Sequence, residues 1–289
     1  MSTITADEAV ADTTAEVDLG VALNAAFEGR HHERRAAGRA AYPTDGMHRD
    51  PSLGLAEARQ WTLERLKVLV DHGFGQAIQP AESADEATLV QSLIDFETIS
   101  YGDLSVAIKS GVQHGLFGGA IASLGNDDQH DRFLGGALSL EVLGCFAMTE
   151  RGHGSDVQSL ETTITFDPEA GDFVVHSPKE SSAKTYIGNA AAHGHMAAVF
   201  GQLIVDATEH GVHCILVPIR DDDGSVHEGV TIGDNGHKGG LIGVDNGWIS
   251  FDHVRVGRDL LLDRFGSVNA DGQYESSIEN PNQIGRAHV

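Results

Sequence analysis

The first half of the chain places apolar residues at the spacing of helices. Apolar positions recur every three or four residues between Pro51 and Gly73, which predicts an amphipathic helix bounded by these two helix-breaking residues. Asn126 offers a capping side chain for a further short helix. The helices that this spacing predicts cover residues 53–73, 87–99, 104–125 and 127–134. Residues 31–143 are therefore predicted to form an all-helical domain.

The pattern changes after about Leu143, where apolar runs become short and turn residues separate them. The predicted strands are Leu160–Phe166, Phe173–His176, Met196–Val205, Val212–Ile219, Gly229–Ile232 and Trp248–Phe251. Asp167-Pro168 with Gly171-Asp172 indicates a hairpin connection, and Asp222-Asp223-Gly224 a further turn. Short strands at this spacing predict an antiparallel barrel or sandwich over residues 144–265. No GxGxxG opens a strand–helix unit, so a Rossmann fold has no support.

Both ends of the chain differ from these two regions. Residues 1–30 are predicted to be irregular or disordered, because the first 18 are small, polar and acidic. Residues 266–289 are expected to begin a linker to a further domain. The last six of them, IGRAHV, match the translation of a common sequencing adapter, so residues 284–289 are expected to be an artefact. A chance tail is the alternative.

Composition narrows the partners and the compartment. The chain has 43 acids, 19 bases and a net charge of −24, which argues against nucleic-acid binding and against docking on an anionic membrane. Cys145 and Cys214 lack CxxC spacing and lie in apolar runs, as buried free thiols do in a reducing compartment. The sequence shows no secretory signal and no membrane span. We therefore expect a soluble intracellular protein.

The segment Cys145–Asp156 (CFAMTERGHGSD) carries the strongest chemical signal. Thr149 supplies a hydroxyl directly after an apolar strand, and Gly152, Gly154 and Ser155 allow the backbone to approach a cofactor closely. A flavin needs such hydrogen bonds at its ring and such amides near its diphosphate. Taken alone, the segment is also compatible with an ordinary glycine-rich turn.

This segment resembles the flavin loop of the acyl-CoA dehydrogenase and acyl-CoA oxidase superfamily, and is most similar to its oxidase branch. A second resemblance follows at Val244–Arg255 (VDNGWISFDHVR), at the distance that the family requires. The resemblance implies that Thr149 contacts the flavin. It also implies that Gly154 and Ser155 lie near the flavin, with Ser155 near the CoA arm of the thioester substrate.

Lys184–Asn189 (KTYIGN) is similar to the family segment in which an aromatic residue and a glycine pack beside the flavin. The resemblance implies flavin contacts for Tyr186 and Gly188. Thr185 and Ile187 depart from the oxidase pattern, in which an aromatic residue and a proline are common at these positions. For Tyr186 alone, a buried tyrosine bonded to the backbone is the alternative.

The sequence predicts no metal site. His193 and His195 would share one face of a strand, but neither they nor His31-His32 have further candidate ligands nearby. Solvent-facing histidines are the prediction for these positions. Asp221-Asp222-Asp223-Gly224 lacks the spacing and final glutamate of a calcium loop.

The resemblance implies an α+β multidomain protein: an N-terminal helical domain, a middle β domain, and a C-terminal helical bundle that would begin after Asn282 and is missing here. It further implies FAD, a fatty acyl-CoA substrate and desaturation to the trans-2-enoyl-CoA. The glutamate base of the family comes from the missing domain, so the chain is expected to be inactive as written.

Several alternatives stay open. Electrons would pass to oxygen in an oxidase or to an electron-transfer flavoprotein in a dehydrogenase. A non-catalytic acyl-CoA binding protein on the same fold is the alternative from a different class, and a flavin monooxygenase or nitroalkane oxidase matches the motifs less well. The full-length protein is expected to be a homodimer, cytoplasmic if bacterial and peroxisomal if eukaryotic.

Overall fold

The structure, a computed structural model, describes residues 18–80 and 82–278. The α-helices are α1 Leu19–Glu28, α2 His32–Ala41, α3 Leu55–Asp71, α4 Glu86–Gly102, α5 Leu104–Ser110, α6 Gly119–Leu124, α7 Asp127–Gln129 and α8 Gly135–Leu138. The strands are β1 Gly144–Ala147, β2 Thr163–Asp167, β3 Asp172–His176, β4 Lys184–Gly188, β5 Met196–Val205, β6 Thr208–Pro218, β7 Val230–Asp234, β8 Asn246–Phe251, β9 Val254–Gly257, β10 Gly266–Val268 and β11 Tyr274–Ser276. A helical N-terminal region followed by a β region is therefore confirmed.

Helices α1 and α2 belong to a unit of their own. Asp18 caps α1, because its carboxylate accepts hydrogen bonds from the amides of Gly20 and Val21. Glu28 at the end of α1 forms an ion pair with Arg39 of α2 at 2.7 Å. The prediction of an irregular segment over residues 1–30 is therefore wrong for α1, since the cap and the following residues support a helix. Residues 1–17 and the tail at 284–289 lie outside the described residues.

The predicted helices after residue 50 are confirmed. Asp85 caps α4 by accepting from the amide of Thr88, and Asn126 forms a capping box with Gln129 at α7. The buried residues of α3 pack with those of α5 in one apolar cluster. The apolar face of α4 behaves differently, because three of its large side chains are exposed. These are Leu89, Leu93 and Phe96.

Residues 104–124 form one continuous helical rod, in which a π-helical stretch at Gly111–Gly118 joins α5 to α6. Phe117 and Ile121 of this rod are fully buried, in one apolar cluster with Phe200 of β5 and Leu216 of β6. The rod therefore packs against one face of the β region through these apolar side chains. Its other face exposes Leu104, Ile108 and Leu116.

Strand β5 organises the larger sheet. One edge of β5 pairs along its length with β6, and its other edge pairs first with β1 and then with β2. The β1 and β2 pairings are parallel, so this sheet is not wholly antiparallel as predicted; long connections precede β5 and allow the chain to cross over. Beyond β2 the order continues through β3 to β9. A separate three-stranded sheet has the order β4-β8-β7.

The β region has its own apolar core, built from the alternate inward residues of these strands. Phe166 and Phe173 face each other across the predicted β2–β3 hairpin, with ring centroids 5.3 Å apart. Cys145 and Cys214 are free and buried, as predicted, and burial raises the pKa of both thiols. Within residues 18–80 and 82–278, each helix is too short or too polar to cross a membrane.

Candidate functional site

The two segments predicted to contact a flavin lie side by side. The amide of Thr185 donates to the carbonyl of Thr149 at 3.0 Å, and Glu150 forms an antiparallel bridge with Lys184. The amide of Arg151 donates in turn to the carbonyl of Ala183 at 2.9 Å. These backbone hydrogen bonds hold residues 149–151, which follow β1, against the start of β4.

A buried ion pair lies beneath this junction. The ammonium of Lys184 donates to Glu150 Oε1 at 2.8 Å and to the carbonyl oxygens of Met148 and Phe200 at 3.1 and 2.6 Å. Both charged side chains are fully buried. Burial lowers the pKa of Lys184 to about 8, although Glu150 opposes this shift. The ammonium remains the main form at neutral pH, with all three of its donors used.

The carboxylate of Glu150 is equally well bonded. Its Oε1 accepts from the amide and the hydroxyl of Thr162 at 2.9 and 2.6 Å, and its Oε2 accepts from the amide of Glu161 at 2.7 Å. The pair therefore joins the chain after β1, the start of β2 and the start of β4. Glu150 is a positioning residue in this structure and is not available as a base.

Tyr186 is the most unusual residue of the junction. Its side chain is 69% exposed, while its backbone has a φ of 57°, a left-handed conformation that is rare for a bulky residue. Asn246 donates to the carbonyl oxygen of Tyr186 at 3.0 Å, and the register of β4 shifts between Lys184 and Ile187. The alternative of a buried tyrosine is therefore wrong. A strained backbone that presents an exposed aromatic ring is typical of a functional site.

Gly188 faces the helical rod. A Cβ atom at this position would lie 2.7 Å from Cγ2 of Val112, which belongs to the π-helical stretch. Packing against Val112 thus requires glycine here. Gly188 therefore sits where β4 meets the helical region, and any larger residue would push the two apart.

The residue after Gly188 is tied down by buried polar groups. Asn189 has a φ of 67°, and its side-chain amide donates to the carbonyl of Gly144 at 2.7 Å. Lys109 of α5 donates to Asn189 Oδ1 at 2.5 Å and to His193 Nδ1 at 3.1 Å. Burial lowers the pKa of Lys109 to about 8, against the attraction of Asp245.

His193 corrects two predictions. Residues 191–195 form a turn and not a strand, and only 12% of the His193 side chain is exposed. Burial, followed by the charge of Lys109, lowers its pKa to about 4, so the ring is neutral and Nδ1 accepts the lysine hydrogen bond. The 3.5 Å contact between His193 and Asp245 is therefore not an ion pair.

Two further buried charges hold the same turn. The Asp245 carboxylate accepts from the amides of Ala192 and His193 at 2.8 to 3.1 Å. The Arg220 guanidinium donates to three carbonyl oxygens at 2.7 to 3.1 Å, those of Ala190, Ala191 and Gly194. The negative carboxylate thus accepts from the amides and the positive guanidinium donates to the carbonyls. Together they fix the turn that follows Gly188.

The remaining predicted residues lie along the loop after Thr149. Gly152 donates its amide to the carbonyl of Ser181 at 2.8 Å, and a Cβ at this position would come within 3.0 Å of the Ser181 side chain. Gly154 and Ser155 are exposed, and a Cβ atom at Gly154 would point into open space. The structure therefore brings Thr149, Tyr186 and Gly188 onto joined segments and leaves Gly154 and Ser155 on the open part of the loop.

Sequence reasoning missed the buried charges of this site. Glu150, Lys184, Lys109 and Asp245 all read as surface residues by type, but each is buried. One signal was present, since Lys184 and Glu150 lie inside the two motifs themselves.

The chain's own residues fit a flavin. Thr149 is partly exposed, and its hydroxyl has no hydrogen-bond partner within residues 18–80 and 82–278. Its segment is bonded to the one that displays the Tyr186 ring. A free hydroxyl, an exposed aromatic face and an exposed loop with two glycines match the needs of a planar cofactor with polar edges.

Comparison with known proteins gives the same family. Residues 145–254 match the family described as "Acyl-CoA dehydrogenase, middle domain". The chain is 46% identical over 201 residues to the mouse acyl-coenzyme A oxidase-like protein, covering 70% of this chain and 32% of that protein. It is 42% identical over 229 residues to the peroxisomal acyl-coenzyme A oxidase 3 of Arabidopsis thaliana, covering 79% and 34%.

Solved structures agree. Acyl-CoA oxidase 1 of Yarrowia lipolytica superposes with a TM-score of 0.76 at 30% identity, covering 90% of this chain and 37% of that one. Acyl-CoA oxidase-2 of Caenorhabditis elegans, bound with FAD, ascaroside-CoA and ATP, gives 0.75 at 27% identity, covering 91% and 39%. The chain thus spans about a third of the length of the curated relatives it matches.

Proposed function

Because this chain belongs to the acyl-CoA oxidase and acyl-CoA dehydrogenase superfamily, we propose that it supplies flavin-binding and substrate-binding residues to an enzyme that oxidises fatty acyl-CoA in β-oxidation. The reaction is α,β-desaturation to the trans-2-enoyl-CoA, with oxygen as the electron acceptor. The observation that carries the proposal is Tyr186, an exposed aromatic ring on a left-handed residue next to Thr185, whose amide is hydrogen-bonded to the carbonyl of Thr149.

The roles of the residues follow from their chemistry. FAD, when bound, accepts the hydride that leaves the β carbon of the substrate. Thr149 donates or accepts a hydrogen bond at the polar edge of the cofactor, and Tyr186 packs its ring beside it. Gly188 keeps the β4 backbone close, while the exposed Gly154 and Ser155 serve the diphosphate of the cofactor and the CoA arm of the substrate.

A base must also remove the α proton, and the two buried or half-buried acids beside the Thr149 segment, Glu150 and Glu161, are already engaged. Glu150 is paired with Lys184, while Glu161 accepts hydrogen bonds from Lys179 and Ser181. We assign no base within residues 18–80 and 82–278. In this proposal the base belongs to the part of the enzyme that the relatives have and this chain does not align with, so the 289-residue chain alone does not turn over acyl-CoA.

The acceptor and the compartment are part of the same proposal. Oxygen as acceptor is supported by the oxidase relatives, and production of peroxide by the whole enzyme would distinguish it from a dehydrogenase that needs an electron-transfer flavoprotein. A eukaryotic source would place the enzyme in peroxisomes and a bacterial source in the cytoplasm. The whole enzyme would be a homodimer.

The test is FAD binding by the 289-residue chain, measured by quenching of flavin fluorescence. Loss of one neutral hydrogen bond in Thr149→Ala should weaken binding roughly two- to tenfold, since such a bond is worth about 0.5–1.5 kcal/mol. Tyr186→Ala should weaken it at least as much. Tyr101→Ala is the matched control, because Tyr101 is 71% exposed, close to the 69% of Tyr186, but lies on α4.

The outcomes separate the functions. Equal FAD affinity in the wild type and both site variants would remove Thr149 and Tyr186 from the site. Binding of acyl-CoA without any binding of FAD would favour the non-catalytic acyl-CoA binding protein. Peroxide formed from acyl-CoA by this chain alone would show that a base lies within it.

A further inference from the structure

A second group of ligand-bearing side chains lies at a corner of the β region, on residues to which the proposed function gives no role. His176 ends β3, and Asp252 and His253 form the turn between β8 and β9. One ligand atom from each of the three lies within 4.8 Å of the other two. The antiparallel register that pairs Val175 with Val254 places His176 directly opposite His253.

Both imidazoles approach the same carboxylate oxygen. His253 Nδ1 lies 2.7 Å from Asp252 Oδ1, and His176 Nδ1 lies 3.7 Å from the same atom. The two rings are stacked, with centroids 3.9 Å apart and planes 24° from parallel. His176 Nδ1 is shielded from solvent and has no hydrogen-bond partner among the described residues. A buried nitrogen without a partner, aimed at a carboxylate, calls for a ligand between them.

The backbone holds this arrangement in place. His253 has a φ of 53°, which turns its side chain within the tight β8–β9 connection, and the amide of Asp252 donates to the carbonyl of Gly229 at 2.7 Å. His176 is fixed on the neighbouring strand. The three side chains therefore start from a rigid frame, so few degrees of freedom are lost when a ligand binds.

We propose that His176, Asp252 and His253 form a binding site for a divalent transition-metal ion of the Zn²⁺ class. Imidazole nitrogen and carboxylate oxygen are zinc ligands, with bonds of about 2.0–2.2 Å. Ligand atoms of a tetrahedral site with such bonds are about 3.3–3.6 Å apart. The observed separations of 2.7 and 3.7 Å lie on either side of this value, and the third separation is within 4.8 Å, so rotations of the exposed Asp252 and His253 side chains would bring the ligand atoms to these distances.

Three protein ligands leave a coordination position open. A groove of about 460 Å³ begins at Asp252 and His253 and is also lined by His227 and Glu228. This groove offers room beside Asp252 and His253 for water or a small anionic ligand to complete the coordination. Structural zinc sites use four protein ligands, whereas zinc sites with three protein ligands hold water or another small ligand in the fourth position.

The ligand atoms of Glu150, His153 and Glu161 lie within the same 4.8 Å of one another, but this cluster is not a metal site. The ammonium of Lys184 already lies 2.8 Å from Glu150 Oε1, and Lys179 lies 2.9 Å from Glu161 Oε1. A divalent cation there would have to enter beside two positive charges. Among the described residues, the Asp252 carboxylate forms no ion pair with a lysine or an arginine. Its charged-group contacts are with His176 and His253.

The test uses the 289-residue chain freed of metal. We expect one equivalent of Zn²⁺ to bind in calorimetry, and one equivalent of Co²⁺ to give the visible absorption of a low-coordinate nitrogen and oxygen site. His176→Gln and His253→Gln should each weaken Zn²⁺ binding more than tenfold and abolish the Co²⁺ bands. His237→Gln is the control, because His237 is exposed and lies outside the cluster.

A stability measurement guards against a folding defect. Zn²⁺ should raise the Tm of the wild type and of His237→Gln, because an ion that binds only the folded state stabilises it. It should leave the Tm of Asp252→Asn unchanged, a variant that keeps the side-chain shape. Zn²⁺ affinity in both cluster histidine variants equal to that of His237→Gln would overturn the proposal, and so would the absence of saturable binding to the wild type. The outcome is independent of FAD binding.

Discussion

The buried pair of Lys184 and Glu150 gives the sharpest prediction about what holds the candidate site together. In Lys184→Met a side chain of similar length replaces the ammonium, and Glu150 remains in a fully buried position with its charge uncompensated. Three donors to the carboxylate survive, from Thr162 and Glu161, so the group keeps its hydrogen bonds and loses its counter-ion. Removal of one partner from such a pair costs about 3–5 kcal/mol.

This loss is large beside the total stability of a domain, which is about 5–15 kcal/mol. We expect it as a lower midpoint in urea unfolding at pH 7, followed by circular dichroism. Lys179→Met is the matched control, because Lys179 pairs with Glu161 at 2.9 Å but is 66% exposed. A surface ion pair of this kind contributes about 0–1 kcal/mol.

A double variant tests the stated cause. If the uncompensated charge is responsible, Glu150→Gln in the Lys184→Met background should recover part of the lost stability, because it removes the remaining charge. Amide exchange at Thr185, whose hydrogen bond to Thr149 lies above the pair, should become faster in Lys184→Met alone. A Lys184→Met protein that unfolds within 1 kcal/mol of Lys179→Met would refute the reasoning.

Two further predictions concern packing and pH. Gly188→Ala should destabilise the protein by about 1–3 kcal/mol, because the new Cβ would lie 2.7 Å from Cγ2 of Val112. Adding Val112→Ala to the same chain should restore part of the lost stability. Equal urea midpoints for the single and double variants would contradict this. Burial lowers the pKa of His114 and His213 to about 4, below the value of about 6.5 in the unfolded chain. The stability that these two neutral rings contribute is therefore fully present above pH 6.5 and is lost as the pH falls towards 4. His213→Asn should remove about 2 kcal/mol of the difference in unfolding free energy between pH 7.5 and pH 5, and an unchanged difference would show that this ring is protonated in the folded state.

Local patterns in the sequence were sufficient for most of the secondary structure. The strand Met196–Val205 is predicted and observed with the same bounds, because its apolar run has turn residues on both sides. The helix at Leu55–Asp71 follows in the same way from its three- and four-residue spacing. The parallel pairing of β5 with β1 and β2 depends on strands far apart along the chain, and a single strand's pattern carries no information about its partner.

The exposed helix face shows the same limit. Leu89, Leu93 and Phe96 have the spacing of an apolar face of α4, and the helix forms as predicted, yet this face is not buried by the described residues. Periodicity indicates that a face is apolar and not what covers it. The sequence therefore predicts the element correctly and leaves its environment undetermined.

The candidate site divides along the same line. The motifs place Thr149 and Tyr186 in the two segments that the resemblance assigns to the flavin site, and the hydrogen bond from the Thr185 amide to the Thr149 carbonyl joins these segments. The left-handed backbone of Tyr186 could not be predicted, because local preference is against it. It is held by interactions between residues distant in the sequence, such as the hydrogen bond from Asn246 to the Tyr186 carbonyl.

Buried charges are the common element in what sequence reasoning missed. Lys184 binds the carbonyl of Met148 beside Thr149, Lys109 binds Asn189 beside Gly188, and Asp245 binds the turn that follows; each is nearly or fully buried. A charged residue is uncommon in a core unless its hydrogen bonds are satisfied. Here the hydrogen bonds of the buried charges fix the backbone conformation of the turns beside the predicted glycine and tyrosine. Composition counts these residues as solvated charge, although they determine the shape of the site. A charge inside a cofactor motif is therefore better interpreted first as a candidate buried anchor, and the Lys184→Met experiment tests that interpretation directly.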